Sequence, residues 1–184
     1  MKIMLTGFKP FLNNAENPSG IIAESLDGYR GVSGYLLDVS YTATPLELRK
    51  AIDESKPDFI LSLGLHAKAE DIHLERCAYN LMDGKAPDND GVSKMKEEII
   101  PGGPESLMTR VDLEALSSLL SERGYPNRIS TDPGRYICNQ TYFLDLSILG
   151  KALFVHLPNM ETMNLDSQKK AVMAIIDFIA DSSL

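Results

Sequence analysis

Short apolar runs alternate with helix-forming segments from one end of the chain to the other, and that alternation favours an α/β layer architecture over an all-α or all-β one. Lys2–Thr6 is an apolar run closed by Gly7 and reads as a buried first strand. At Asn17-Pro18-Ser19 a helix start is expected: Asn17 can cap the free amides, and Pro18 suits the first helical position, where no N–H is needed. Asp27-Gly28 should end that helix. Thr44 and Glu47 are spaced as a capping box, with Leu48, Ala51 and Ile52 following at helical spacing before Pro57. Asp58–Leu63 reads as a second strand, and Ile72–Leu81 as an extended segment with Glu75 and Arg76 in its middle. A helix over Val111–Arg123 carries Leu113, Leu116, Leu119 and Leu120 on one stripe and stops at Gly124. Asn127–Ser130 is a short strand leading into the turn Thr131-Asp132-Pro133-Gly134. Another helix begins close to Cys138, and Ala152–His156 is a further strand. The last helix starts at Asn164, with Val172, Ile175, Ile176 and Ile179 at helical spacing. The irregular stretch Met82–Pro104 is long for a connection in a compact domain and marks a functional or mobile segment.

The length of 184 residues suits one domain spanning 1–184. With 18 Lys+Arg against 26 Asp+Glu the net charge is −8, and no basic run is present. Nucleic acid and anionic membrane surfaces both require clustered cations, so neither is expected as a partner. The apolar segment Phe59–Leu65 is too short to span a bilayer. The N-terminus has neither a long apolar region nor a small-residue cleavage site, so it reads as a strand and not as a signal peptide. Cys77 and Cys138 are too few for a disulfide scaffold and lack metal-ligand spacing. These features describe a reduced, cytoplasmic, acidic domain.

Cys138 is the first candidate for chemistry. A lone cysteine is more often an inert core residue than a nucleophile. Here, however, it follows the Pro133-Gly134 turn near a helix N-terminus, where free amides and the helix dipole stabilise a thiolate and could hold an oxyanion. Asn139-Gln140 directly after it are poor choices for a fully buried helix start. A thiolate needs a partner to protonate the leaving group, and only His66, His73 and His156 are present. His156 and His66 both follow strands, whose ends face the ligand crevice of an α/β sheet, and position favours His156 only slightly. A hydrogen-bonded structural histidine is the alternative for either. His73 alternates with polar neighbours and is expected to be exposed. Glu75 either orients such an imidazole or lies on a solvated edge strand. Spacing alone gives a Cys, His and Glu set without naming an enzyme.

Seven segments then appear in one order: Leu5-Thr6-Gly7-Phe8-Lys9-Pro10-Phe11, Asn17-Pro18-Ser19, Glu75-Arg76-Cys77-Ala78-Tyr79-Asn80, Pro87-Asp88-Asn89-Asp90-Gly91, Gly102-Gly103-Pro104, Tyr136-Ile137-Cys138-Asn139 and Phe154-Val155-His156-Leu157-Pro158. In this order the chain resembles the pyroglutamyl peptidase type I (pyrrolidone-carboxylate peptidase) family of cysteine peptidases along nearly its whole length. The resemblance implies a single α/β/α sandwich around a twisted mixed sheet and a catalytic triad falling on Glu75, Cys138 and His156. It implies removal of an N-terminal pyroglutamyl residue from peptides, without metal or organic cofactor, by proteins that commonly form homo-oligomers. Phe8, Phe11, Tyr136 and Ile137 match the wall of the family's substrate pocket, although Phe8 and Phe11 read as core packing on their own. The Cys138 amide would contribute to the oxyanion hole.

The departures from that pattern are concentrated. Leu12-Asn13 replace a pair of glycines. Leu65 stands where the family carries a Gln tied to lactam recognition. Lys85 replaces an Arg placed near the oxyanion, keeping the charge but not the planar fork. The segments on either side of His156 are short, which leaves a monomer or dimer open. Alternatives are therefore a cysteine amidase with altered small acyl or cyclic amide specificity, or a relative that binds a small ligand or peptide terminus without turning it over.

Overall fold

A two-residue period with both phases apolar builds strands that are covered on both faces. In the first strand, β1 (Ile3–Phe8), Ile3 and Leu5 pack to one side and Met4 and Phe8 to the other. The same alternation sorts Leu61 and Leu63 from Ile60 in β3 (Phe59–Leu65), and Leu153 and Val155 from Ala152 and Phe154 in β8 (Ala152–Leu157). The computed structural model describes residues 1–11 and 16–182, so the Leu12-Asn13 departure lies outside the described residues.

With β2 (Val32–Leu37), β4 (Ile72–Glu75) and β7 (Asn127–Ser130), these strands form one six-stranded mixed sheet in the order β2-β1-β3-β8-β4-β7. All pairings are parallel except β4 against β8. A two-stranded antiparallel ribbon joins β5 (Cys77–Tyr79) to β6 (Ser106–Met108). Helices α1 (Pro18–Ser25), α3 (Leu113–Glu122) and α5 (Leu165–Asp181) cover one face. Helices α2 (Ala43–Ser55) and α4 (Ile137–Ile148) cover the other.

Most expected elements are present, with local differences. β1 runs through Gly7 instead of stopping there, because a Cβ at Gly7 would strike the main-chain carbonyl of Ser19: the glycine lets the start of α1 press on the strand. Asn17 caps α1 as expected, its Oδ1 accepting from Ser19 N at 3.1 Å. The Thr44/Glu47 capping box does not form. Ser40 Oγ accepts instead from the amides of Ala43 (2.9 Å) and Thr42 (3.2 Å), while Thr44 Oγ1 donates back to Asp38 O. Ile72–Leu81 is not one extended segment. It breaks at Arg76, and its halves join different sheets. Met82–Pro104 is irregular, as the composition suggests, with Met82 and Glu97 bridged and Asn80 tying down both main-chain groups of Ile100.

Candidate active site

The buried polar residues of the sheet, Thr6, Ser62, Glu75 and His156, lie on its α4-facing side, and strand register explains how the last two meet. His73 pairs directly with His156 across the antiparallel β4/β8 junction, and Glu75 pairs with Phe154. Residues two apart share a face, so Glu75 and His156 become diagonal neighbours, within reach of long side chains. The Glu75 carboxylate is fully buried, and its Oε1 lies 2.8 Å from Nδ1 of His156. A carboxylate accepts from Nδ1–H, which leaves Nε2 facing away from Glu75. Tyr142 of α4 donates its hydroxyl to the Glu75 main-chain carbonyl at 2.8 Å. β4 is an interior strand between β8 and β7, so the solvated-edge reading of Glu75 does not hold.

Cys138 is the second residue of α4, half-buried, and its thiol hydrogen-bonds with His156. Burial disfavours the imidazolium, but the hydrogen bonds to Cys138 and Glu75 and their Coulombic attraction outweigh it. His156 is raised to about 9. Across the sheet Gly64 is paired with His156, and a Cβ there would lie 2.9 Å from the Cys138 Sγ and 2.8 Å from the Phe154 ring. The glycine makes room for the sulfur. No side chain caps the first turn of α4, whose N-cap is Tyr136, so its leading amides keep the anion-stabilising character of a helix start.

Asn139 corrects an expectation. Asn139 and Gln140 are both buried, not partly solvated. Asn139 is satisfied by a bracket of three hydrogen bonds: Oδ1 accepts from Tyr79 N (2.8 Å), and Nδ2 donates to Tyr79 O (2.8 Å) and Leu81 O (2.9 Å). That bracket fixes the start of α4 against the chain leaving β5.

A cavity of about 280 Å³ opens beside Cys138, lined by Phe8, Phe11, Leu65, Tyr136 and Ile137, the residues expected there, and also by Asn17, Val39 and Ala67. Phe11 and Tyr136 meet with ring centroids 5.4 Å apart. The polar side-chain atoms at its edge are engaged elsewhere. Asn17 is occupied by Ser19 and by the Lys9 carbonyl, and Tyr136 donates its hydroxyl to Pro87 O at 3.0 Å. Lys85 is exposed and does not line this cavity. Sequence reasoning missed Asn17 because its capping role accounted for it, and Val39 because β2 was not recognised. Ala67 was within reach, two residues beyond Leu65 in the turn that follows β3.

His73 is half-buried rather than exposed, and His66 is exposed. Among the described residues, no three His, Cys, Asp or Glu side chains are grouped to hold a metal ion, and no helix is long and apolar enough to cross a membrane.

Comparison with known proteins identifies the family. The family model described as pyroglutamyl peptidase matches residues 1–179. A pyrrolidone-carboxylate peptidase from Thermococcus litoralis is 35% identical over 167 residues, covering 85% of this chain and 76% of that one. A relative of the same name from Saccharolobus islandicus is 31% identical over 198 residues, covering 97% and 95%. The crystal structure of a mutant pyrrolidone carboxyl peptidase from Pyrococcus furiosus superposes with a TM-score of 0.96 at 30% identity over 100% of both chains. That of the Fervidobacterium islandicum enzyme gives 0.91 at 35%, covering 96% and 97%. By sequence along almost its full length and by fold, the chain belongs to the pyroglutamyl peptidase family of cysteine peptidases.

Proposed function

We propose that this protein removes an N-terminal pyroglutamyl group from peptides through Glu75, His156 and Cys138, by way of an acyl-enzyme. The reading rests on one observation, the hydrogen-bonded row from Glu75 through His156 to Cys138 at the mouth of an apolar cavity. The Cys138 sulfur attacks the acyl carbonyl, with the leading amides of α4 facing the developing oxyanion. Imidazolium His156 gives its proton to the departing amine as the C–N bond breaks, leaving a thioester. Neutral His156 then takes a proton from water, whose oxygen attacks the thioester. The C–S bond breaks, releasing the acid and restoring the thiolate and imidazolium. Glu75 holds the ring in the Nδ1–H tautomer throughout. The flat acyl ring occupies the cavity between Phe8, Phe11, Leu65 and Tyr136.

A chromogenic pyroglutamyl amide tests this reading. Turnover should vanish in Cys138→Ala, and the wild-type protein should carry a transient pyroglutamyl mass on Cys138. Iodoacetamide should label Cys138 more slowly at neutral pH in His156→Ala than in wild type, because the variant lacks the cation beside the sulfur. Turnover surviving in Cys138→Ala would overturn the mechanism.

One observation favours a second reading, in which acyl specificity has broadened towards other small acyl or cyclic amides. Leu65 presents only carbon to the cavity, and Asn17 and Tyr136 are engaged elsewhere. A buried hydrogen bond to a substrate group can discriminate by roughly four to five orders of magnitude. Under this reading Leu65→Gln should raise the preference for a pyroglutamyl amide over its carbocyclic cyclopentanecarbonyl counterpart by about tenfold or more. An unchanged ratio would exclude it.

A further inference from the structure

The backbone from Leu65 to Ala67 separates two environments. Leu65 and Ala67 line the cavity beside Cys138, whereas the ring of His66, between them, meets His156 edge-on at 5.8 Å and His73 at 5.2 Å between centroids. All three histidines of the chain therefore meet in one group, with exposed His66 touching both buried His156 and half-buried His73. The group is held in place. His66 N donates to Leu157 O at 2.8 Å, Ala69 N to His66 O at 2.9 Å, and Asn159 Nδ2 to Ala67 O at 3.0 Å. His73 is oriented by Asp71, whose Oδ1 lies 3.2 Å from its Nε2 and whose charge is already paired with Arg128 at 2.8 Å.

The chemistry of the site gives this group a role. Once the acyl group fills the cavity, the departing nitrogen must lie at His156, and the rest of the peptide must leave past a group that touches His156 and is open to solvent. Among the residues in ring contact with His156, Phe154 is buried and His66 is exposed. We infer that His66, backed by His73, is a specificity-determining residue for the position just after the scissile bond, and that it favours a carboxylate-bearing side chain there. An imidazole N–H donates to a carboxylate, and Lys68 beside it is also exposed. A lysine at that position would meet only donors. The inference rests on the acyl-transfer reading above.

The test compares peptides of the form pyroglutamyl-Xaa-Ala-amide, with Glu, Leu or Lys at Xaa. In wild type, kcat/KM for Glu should exceed that for Lys by about fivefold to tenfold, carried mainly in KM, as one charge-assisted hydrogen bond allows. His66→Ala should bring the ratio within about twofold, and His66→Gln, which keeps a donor, should retain part of the preference for Glu over Leu. The same ratio in wild type and both variants overturns the inference. Binding of the Glu and Lys peptides to Cys138→Ala and to Cys138→Ala/His66→Ala reads the same preference without chemistry. A Glu preference that disappears with His66 there supports the inference even if no peptide is cleaved, in which case the acyl-transfer reading alone falls. No Glu preference in Cys138→Ala overturns the inference.

Discussion

Nδ1 of His156 lies 2.8 Å from Oε1 of Glu75, and the two residues are diagonal neighbours across the one antiparallel junction of an otherwise parallel sheet. The contact is buried at both ends. Neither strand supplies it alone. The direction of β4 brings the carboxylate to the imidazole.

Glu75→Gln tests what that contact contributes. The amide preserves the shape but presents no carboxylate, so the Nδ1–H tautomer loses its anchor. We expect kcat for a pyroglutamyl amide to fall by about 10²- to 10⁴-fold, with KM changed much less. Steady-state kinetics with circular dichroism to confirm folding would settle it, and a loss confined to KM would contradict the assigned role.

His156 sets the alkaline behaviour. A group whose folded pKa is raised contributes stability that is complete below its unfolded value, about 6.5, and disappears as pH rises through about 9. Both activity and urea stability of the wild-type protein should therefore decline as pH rises towards and beyond 9. The stability term, on the order of 3 kcal/mol, should be missing in His156→Ala. A wild-type midpoint as flat with pH as that of the variant would contradict this.

Gly64→Ala places a methyl group 2.9 Å from the Cys138 Sγ and 2.8–3.0 Å from Phe154 carbons. Relief requires moving the sulfur or the ring that backs His156. Activity should drop by at least about 10²-fold, because small misplacements of reacting groups are costly. Stability should fall by about 1–3 kcal/mol. A variant with wild-type kcat would show that the sulfur has room to spare.

Asp145 sits two turns after Cys138 on α4, fully buried, accepting from Ser62 Oγ at 2.7 Å, with Thr6 Oγ1 donating to that Ser62 oxygen at 2.8 Å. Its Oδ1 has no partner among the described residues. Burial raises this acid to about 7, against which the Ser62 hydrogen bond acts only partly. A raised acid stabilises fully below its unfolded pKa of about 4, and that contribution is lost as pH rises through about 7. Asp145→Asn should therefore be more stable than wild type at pH 8, by up to about 4 kcal/mol, and the gain should shrink towards pH 4. Urea midpoints at the two pH values measure it, and equal differences would count against the burial argument.

Where patterns are local, the sequence was readable. The cap at Asn17, the helix beginning around Asn164, the stripe in α3 and the strand Asn127–Ser130 all follow from residue spacing and recur in the structure. β2 was missed because Ser33, Gly34 and Tyr35 interrupt its apolar run, and Gly34 is there so that α1 can approach: a Cβ would meet Ala23 O. The capping box failed because Ser40, outside the expected start, reaches the amides first. Of the site, Cys138 could be singled out from its place near a helix start, but choosing His156 over His66 could not rest on spacing. His156 is the one that meets both Glu75 and Cys138, and that meeting depends on strand order. Asn139 looked too polar to bury because its three partners, on Tyr79 and Leu81, are about sixty residues distant in sequence.

The Asn139 bracket also joins two parts that the chain keeps apart. Glu75 and His156 belong to the sheet, while Cys138 rides on a helix end latched to the backbone of Tyr79 and Leu81. Those residues open directly onto the irregular chain from Met82 to Pro104, which is anchored in turn through Asn80 and Ile100. Disturbance of that long excursion is thus handed to the sulfur first, and to the imidazole–carboxylate couple only if the sheet itself gives way.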